Sequence, residues 1–391
     1  MIYWLIHILI LGILSFAGFR FIKSTIPPFI YWTALSLKLI AGLILGYIFF
    51  EYYEYGDTIT FFEVAKNSDT IGFANQPRDQ FFVKLIRPIV LISGNSYWIT
   101  SLWLSLISFL SSWYTTTVIV KLYPNIRFVV MVCFLFIPST VFWSSGMMKN
   151  TLAFASMSIL IAFILRFYRN HSLTIFNILL MILSGFLLFH LKHYLFISVL
   201  LFGGILLSLH FFICNKGFSR WIIPISIGMV SIVSTQFIHP YLTFNRIPQT
   251  LYENNRTIIL NSDVEDRLNL VVENDSWTAL ISQVPRALHI GLFRPSIFDK
   301  TPSLGWVHKI ENLILATLIS LSILLLLKLR LKPDWPLLVA ALSCILLLAV
   351  MLPLSSPNLG TLVRYKNAYM PYLFLISSIL PYRFLTSQTV D

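Results

Sequence analysis

Apolar stretches of about 20 residues, the length an α-helix needs to cross roughly 30 Å of hydrocarbon, recur from one end of this chain to the other. They fall at 3–18, 29–50, 97–120, 128–142, 151–165, 173–189, 194–213, 221–238, 311–327, 335–354 and 369–380. Inside a bilayer every backbone N–H and C=O must be satisfied by protein, and runs of this length do so as helices. The expected fold is therefore all-α: a polytopic transmembrane helix bundle of about 11 spans, with residues 1–391 forming a single transmembrane domain. Pro138 interrupts the fourth run, so the fourth and fifth could form one broken element. Composition agrees, since 57% hydrophobic residues, 11% charged residues and a mean hydropathy of +0.80 are far too apolar for a soluble domain.

Charge between the runs sets an orientation. If the spans alternate, Arg20, Lys23, Lys121, Arg127, Arg166, Arg169, Lys216, Arg220, Lys328, Arg330, Lys332 and Arg383 share one face, accompanied only by Asp334 and Asp391. The positive-inside tendency makes that face cytoplasmic and leaves the C-terminus there. The opposite face then carries two long loops, 51–96 and 239–310, and three short ones around 144–150, 190–193 and 355–366. In the first long loop, 58–67 and 80–93 mix Phe, Leu or Ile with Lys or Arg at helical spacing, which predicts interfacial helices lying on the membrane. In the second, 254–275 is polar and reads as a surface excursion or a small helical cap.

Several classes lose support. Cys133, Cys214 and Cys344 lie in or beside apolar runs without paired spacing, against a disulfide framework or a zinc site. No phosphate-cradling glycine loop is visible, so coupling to bound ATP is unsupported, and a nucleic-acid partner is not expected. Ionisable residues within the runs are scarce, Lys38 being the clearest, whereas transporters and pumps usually show more. The first run has no basic residue before it and reads as a retained helix rather than a cleavable signal.

Chemistry-bearing residues collect on the non-cytoplasmic face. Glu51, Glu54 and Asp57 follow directly on the second run. Glu51 and Glu54 can be solvated surface charges. Asp57 follows Gly56 and opens a helical pattern, so it is either a helix-initiating acid or a functional carboxylate. Cations stand at the outer ends of runs: Arg87, Lys149, Lys192 with His193, Arg294, and Arg364 with Lys366. Singly each can snorkel to lipid headgroups. Together they suit a phosphate or pyrophosphate at the membrane surface, Arg through forked hydrogen bonds and Lys as a point charge. Lys149 follows Pro138-Ser-Thr-Val-Phe-Trp-Ser-Ser-Gly and opens the next run, where a cation opposes the helix macrodipole and stability alone does not explain it.

These pieces together resemble the polyprenyl-phosphate-sugar-dependent glycosyltransferases of the GT-C superfamily, and loosely related bacterial membrane proteins of surface polysaccharide synthesis. The resemblance rests on Tyr55-Gly56-Asp57 with the two helical segments after it, Pro138 to Gly146 with Lys149, Leu292-Phe-Arg294-Pro295 before Glu311-Asn312, and Asn358-Leu-Gly with Arg364-Tyr365. It implies a multi-pass protein of the bacterial inner membrane that transfers a sugar from a polyprenyl-phosphate-linked donor to an acceptor on the outer face. Asp57 would act as the base toward the acceptor hydroxyl. The donor phosphate would be held by some of Lys149, Lys192, Arg294, Arg364 and Lys366, with Arg87, His193 and Glu54 lining the same substrate site. Two features depart from the pattern: one extra span precedes the acidic loop, and Lys149 stands where many members carry a second acid. No cofactor is required on this reading, and a divalent cation stays an option. The alternatives are an O-antigen-type polymerase or ligase, in which Arg294 and Arg364 outrank Asp57, and a non-enzymatic transporter of lipid-linked glycans.

Overall fold

The structure, a computed structural model, describes residues 2–53, 56–67, 77–238, 243–300, 305–328 and 334–388. Among these the regular elements are helices, and the one β-type contact is an isolated bridge between Arg267 and Asn358. Among the described residues seven helices are long and apolar enough to cross a membrane. The chain divides into two compact units, Met1–Phe196 and Ile197–Asp391.

The first unit opens with α1 (Ile2–Phe21) and α2 (Pro28–Tyr47), the latter continued by wider turns over Ile48–Tyr53. Pro28 suits the first position of α2, where its missing N–H would have no partner in any case. The helices α3 (Asp57–Lys66) and α4 (Pro77–Ile92) come next, then α5 (Tyr97–Leu122), which Ser96 caps by accepting from the Ile99 amide. The predicted break at Pro138 separates α6 (Arg127–Leu135) from α7 (Pro138–Trp143), and a turn through Gly146, at φ 69°, leads to α8 (Lys149–Tyr168).

At the centre of this unit α5 packs on α2 and α8, and much of its buried surface is Ser and Thr. Ser111, Ser112, Thr115 and Thr116 return their hydroxyls to carbonyls one turn back, so burial leaves those oxygens satisfied. The small side chains let backbones approach, as helices in lipid require when no hydrophobic effect drives them together. At the closest point a Cβ on Gly42 of α2 would stand 2.3 Å from the Ser105 hydroxyl and 3.1 Å from the Gly146 amide.

The helix α9 (Ile175–Cys214) runs 40 residues and is helical throughout except at Lys192, where φ −152° and ψ 79° put a kink. Sequence patterning separates 173–189 from 194–213. The structure keeps both runs in one element and places the break between them at Lys192.

The second unit continues with α10 (Ser219–Ile238), α11 (Ile247–Asn261), α12 (Trp277–Phe293), α13 (Gly305–Lys328), α14 (Trp335–Ser355), α15 (Leu359–Lys366) and α16 (Met370–Gln388). Here leucine-rich helices pair, α12 with α14 and α13 with α16. A Cβ on Gly291 of α12 would fall 1.9 Å from the Ala349 carbonyl oxygen, so only glycine permits that crossing. The polar stretch expected at the surface is anchored. Asn255 is 1% exposed and donates to the Leu270 and Leu354 carbonyls, while Leu268, Leu270 and Val272 are buried. Those three apolar residues at alternate positions explain why the segment folds back onto the helices.

Candidate functional site

The first long loop supplies an amphipathic helix pair. On α3 the buried residues are Thr58, Phe61, Phe62 and Ala65; on α4 they are Phe82, Val83, Ile86 and Val90. Phe61 meets Phe82 edge-on at 5.3 Å, and Phe62 meets Tyr97 of α5 at 5.5 Å. Thr58 then ties the start of α3 to the turn before α8. Its hydroxyl donates to the Met147 carbonyl at 2.7 Å and lies 2.9 Å from the Tyr97 hydroxyl.

That turn is held at four consecutive residues. Lys38 of α2 donates to the Ser144 hydroxyl, which in turn donates to the Thr140 carbonyl. The Ser145 carbonyl accepts from Thr151, the Gly146 amide donates to Ser105, and the Met147 carbonyl accepts from Thr58. The consequence is a fixed start for α8, and its first residue is Lys149.

Lys149 extends over α3 and α4. Its Nζ lies 4.6 Å from the centre of the Phe61 ring and donates to Asp79 Oδ1 at 2.5 Å. Arg78 Nε is 3.8 Å from the same oxygen. The Lys149 and Asp79 side chains keep 18% and 21% of their exposure, so the pair is partly exposed. Asp57 occupies the first turn of α3 and is exposed. Because residues four apart share a helix face, Asp57 lies one turn from Phe61, the ring that Lys149 covers.

In the second unit the cations are engaged differently. Arg294 forms a forked pair with Asp299, Nε to Oδ2 at 3.0 Å and a terminal nitrogen to Oδ1 at 2.6 Å, and the Ser296 amide joins them at 2.6 Å. Burial pushes the Asp299 carboxyl up, but the hydrogen bonds and charge of Arg294 and the Ser296 amide outweigh it and hold the group below the usual range. Lys366 is 3% exposed and donates to the Leu292 carbonyl, the Arg294 carbonyl and Asn312 Oδ1 at 3.2, 2.9 and 3.1 Å. Burial draws its ammonium down to about 7, against a partial upward pull from Glu311. Asn312 completes the knot by donating to the Pro295 carbonyl at 2.8 Å.

The sequence-selected residues thus divide. Asp57, Arg87, Lys149, Lys192 and His193 belong to the first unit, and Arg294, Arg364 and Lys366 to the second. Asp57 precedes by one turn Phe61, the ring over which Lys149 lies. Arg87 is half-buried on α4, and Lys192 sits at the α9 kink 5.7 Å from the Tyr194 ring. His193 stands 6.1 Å from the same ring, and Arg364 lies 5.5 Å from the Tyr365 ring. Glu54 lies outside the described residues. Sequence reasoning missed Asp79, although an acid in the first turn after Pro77 was a visible helix-start signal. It also missed the donor role of Lys366 toward backbone. Among the described residues no group of three or more His, Cys, Asp or Glu could hold a metal ion.

No protein-family model matches the sequence, and no curated protein or solved structure shows significant similarity to it.

Proposed function

We propose that the chain is a GT-C-like glycosyltransferase of the bacterial inner membrane, transferring a sugar from a polyprenyl-phosphate-linked donor to an acceptor on the outer face. The observation that carries this reading is that an exposed carboxylate, Asp57, stands one turn before Phe61, the ring over which a partly exposed cation, Lys149, lies, at the start of a short amphipathic helix. In this assignment Asp57 accepts the proton of the acceptor hydroxyl, and Lys149 with Arg78 neutralises the leaving phosphate. Positioning and charge neutralisation carry most of the rate in this assignment.

The membrane arrangement belongs to the same proposal. The helices α1, α2, α5, the broken α6–α7 pair, α8, α10, α13, α14 and α16 would each cross once. With 40 residues, about 60 Å of helix, α9 is long enough to cross twice with its break at Lys192, which brings the crossings to eleven. On this arrangement α3 and α4 lie in the outer interface, their apolar faces toward the bundle and lipid.

Sugar transfer by purified protein in lipid nanodiscs, with polyprenyl-phosphate sugars as donors, tests the assignment. Asp57→Asn should lower turnover by about 100-fold or more and leave binding of a short-chain lipid phosphate intact. Full activity of that variant sinks the role of Asp57. Phosphate binding without turnover across donors favours a transporter instead. Loss of turnover on changing Arg364 but not Asp57 favours the polymerase or ligase.

A further inference from the structure

Among the described residues Asp79 is the acid in contact with Lys149, and neither side chain is sealed off. An ammonium has three donors; the contact at 2.5 Å uses one, and the Phe61 face covers another side. Two cations, Lys149 and Arg78, converge on a single carboxylate oxygen, so the cluster holds one positive charge more than its acid cancels. Such an arrangement can accept a phosphate oxyanion in place of the carboxylate.

The supports of the two partners differ as well. Lys149 is the first residue of α8, behind a turn held at four consecutive residues, and α8 is buried along most of its length. Asp79 is the third residue of α4, in the first turn of that helix, and is only partly buried. The cation is therefore the member built into the rigid core, while its acid is carried on the first turn of a surface helix.

We propose that Asp79 is an internal stand-in for the substrate's phosphate: at rest it occupies Lys149 and Arg78, and a phosphate or pyrophosphate oxyanion binds by displacing it. The inference rests on the reading of Lys149 as a phosphate ligand given above, and adds to it a residue that competes with the ligand. A gate of this kind selects by charge. Neutral glycans cannot replace Asp79, whereas an anionic phosphate ester, a singly charged phosphodiester included, can. Removing the carboxylate should then strengthen binding; an Asp79 that only holds Lys149 in place would give the opposite result.

The test measures binding of dodecyl phosphate and of inorganic phosphate to the full chain in detergent by calorimetry, for the wild type, Asp79→Asn and Lys149→Met. Asp79→Asn should bind about fivefold more tightly, equivalent to about 1 kcal/mol for a partly exposed ion pair. Improvement for both probes marks the oxyanion alone as the ligand; improvement confined to dodecyl phosphate marks a lipid headgroup. Unchanged or weaker binding to Asp79→Asn overturns the proposal, as does the absence of binding to both it and the wild type. Undiminished binding to Lys149→Met overturns the phosphate reading of the site itself, which is a distinguishable failure. A second measurement needs no variant: carbodiimide joins touching carboxylate and amine side chains, so a cross-link between Asp79 and Lys149 should fall several-fold at saturating dodecyl phosphate. A yield that does not respond to ligand counts against displacement.

Discussion

Two buried lysines, one from each unit, are satisfied in different ways. Lys38, 4% exposed, meets a serine hydroxyl and lies 5.4 Å from the Phe154 ring. Lys366, 3% exposed, meets two main-chain carbonyls and an amide oxygen, with Glu311 near enough to act on its charge. The serine at Lys38 already donates to a carbonyl of its own helix. It would survive the loss of the amine. The carbonyls of Leu292 and Arg294 lie at the C-terminal end of α12, where the last helical C=O groups have no partner within the helix and a cation is favourable. Lys366 therefore closes a helix end and pins the 294–299 segment, whereas Lys38 braces a turn that several other bonds also hold. The difference extends beyond the lysines. The first unit relies largely on short Ser and Thr side chains, some bonded one turn back and some across helices, while the second uses the longer side chains Asn255, Asn312, Lys366 and Tyr369 to reach distant backbone.

Substitution with methionine gives the largest contrast. Lys366→Met removes the donor to one buried and two part-buried acceptors and should cost about 3 kcal/mol, read as a lowered unfolding midpoint in detergent. Lys38→Met puts an apolar chain of similar length in an apolar setting and should change stability by less than about 1 kcal/mol. Equal losses would erase the distinction between the two sites.

Glycine contacts follow at intermediate size. Gly291→Ala drives a methyl into the Ala349 carbonyl and should cost about 3 kcal/mol. Gly42→Ala meets first a serine hydroxyl that can rotate, and should cost about 1 kcal/mol. If Gly42→Ala proves the more damaging, the serine-lined crossing of the first unit is the tighter one.

Acidity provides the most specific probe. Burial lowers Lys366 from an ordinary value of 10.5 to about 7 in the folded protein. Between about 7 and 10.5 the unfolded chain therefore binds the extra proton and the folded chain does not, so stability rises with pH across that window and levels off outside it. One proton limits the slope to about 1.4 kcal/mol per pH unit. Lys366→Met should remove this slope, and a wild type whose midpoint falls from pH 7 to 10 would show that the ammonium form is the one the site prefers.

Much of the local structure was legible because it follows from periodicity. Helices occupy Asp57–Lys66 and Pro77–Ile92 where the apolar pattern placed 58–67 and 80–93, and Lys149 begins a helix after a Pro138 break, as expected. The long helix α12, by contrast, lay hidden in the second loop, because Pro285 and the polar residues before Trp277 mask its amphipathic pattern. Lys366 looked like an outward cation because it stands with Arg364 after a Pro/Asn/Gly turn at the outer end of a run, and nothing local reveals that its own side chain is buried.

By itself the sequence determined that the chain is helical and suited to a membrane, because runs of that length and apolarity must satisfy their own backbone and find no stable place in water. It also determined where helices start and break, since caps, prolines and periodicity act over a few residues. Only the tertiary structure decided which charges meet: Lys149 with Asp79 across 70 positions, and Lys366 with the Leu292 carbonyl across 74. Hydrogen bonds and ion pairs depend on distances of a few ångströms through space, and separation along the chain carries no record of them.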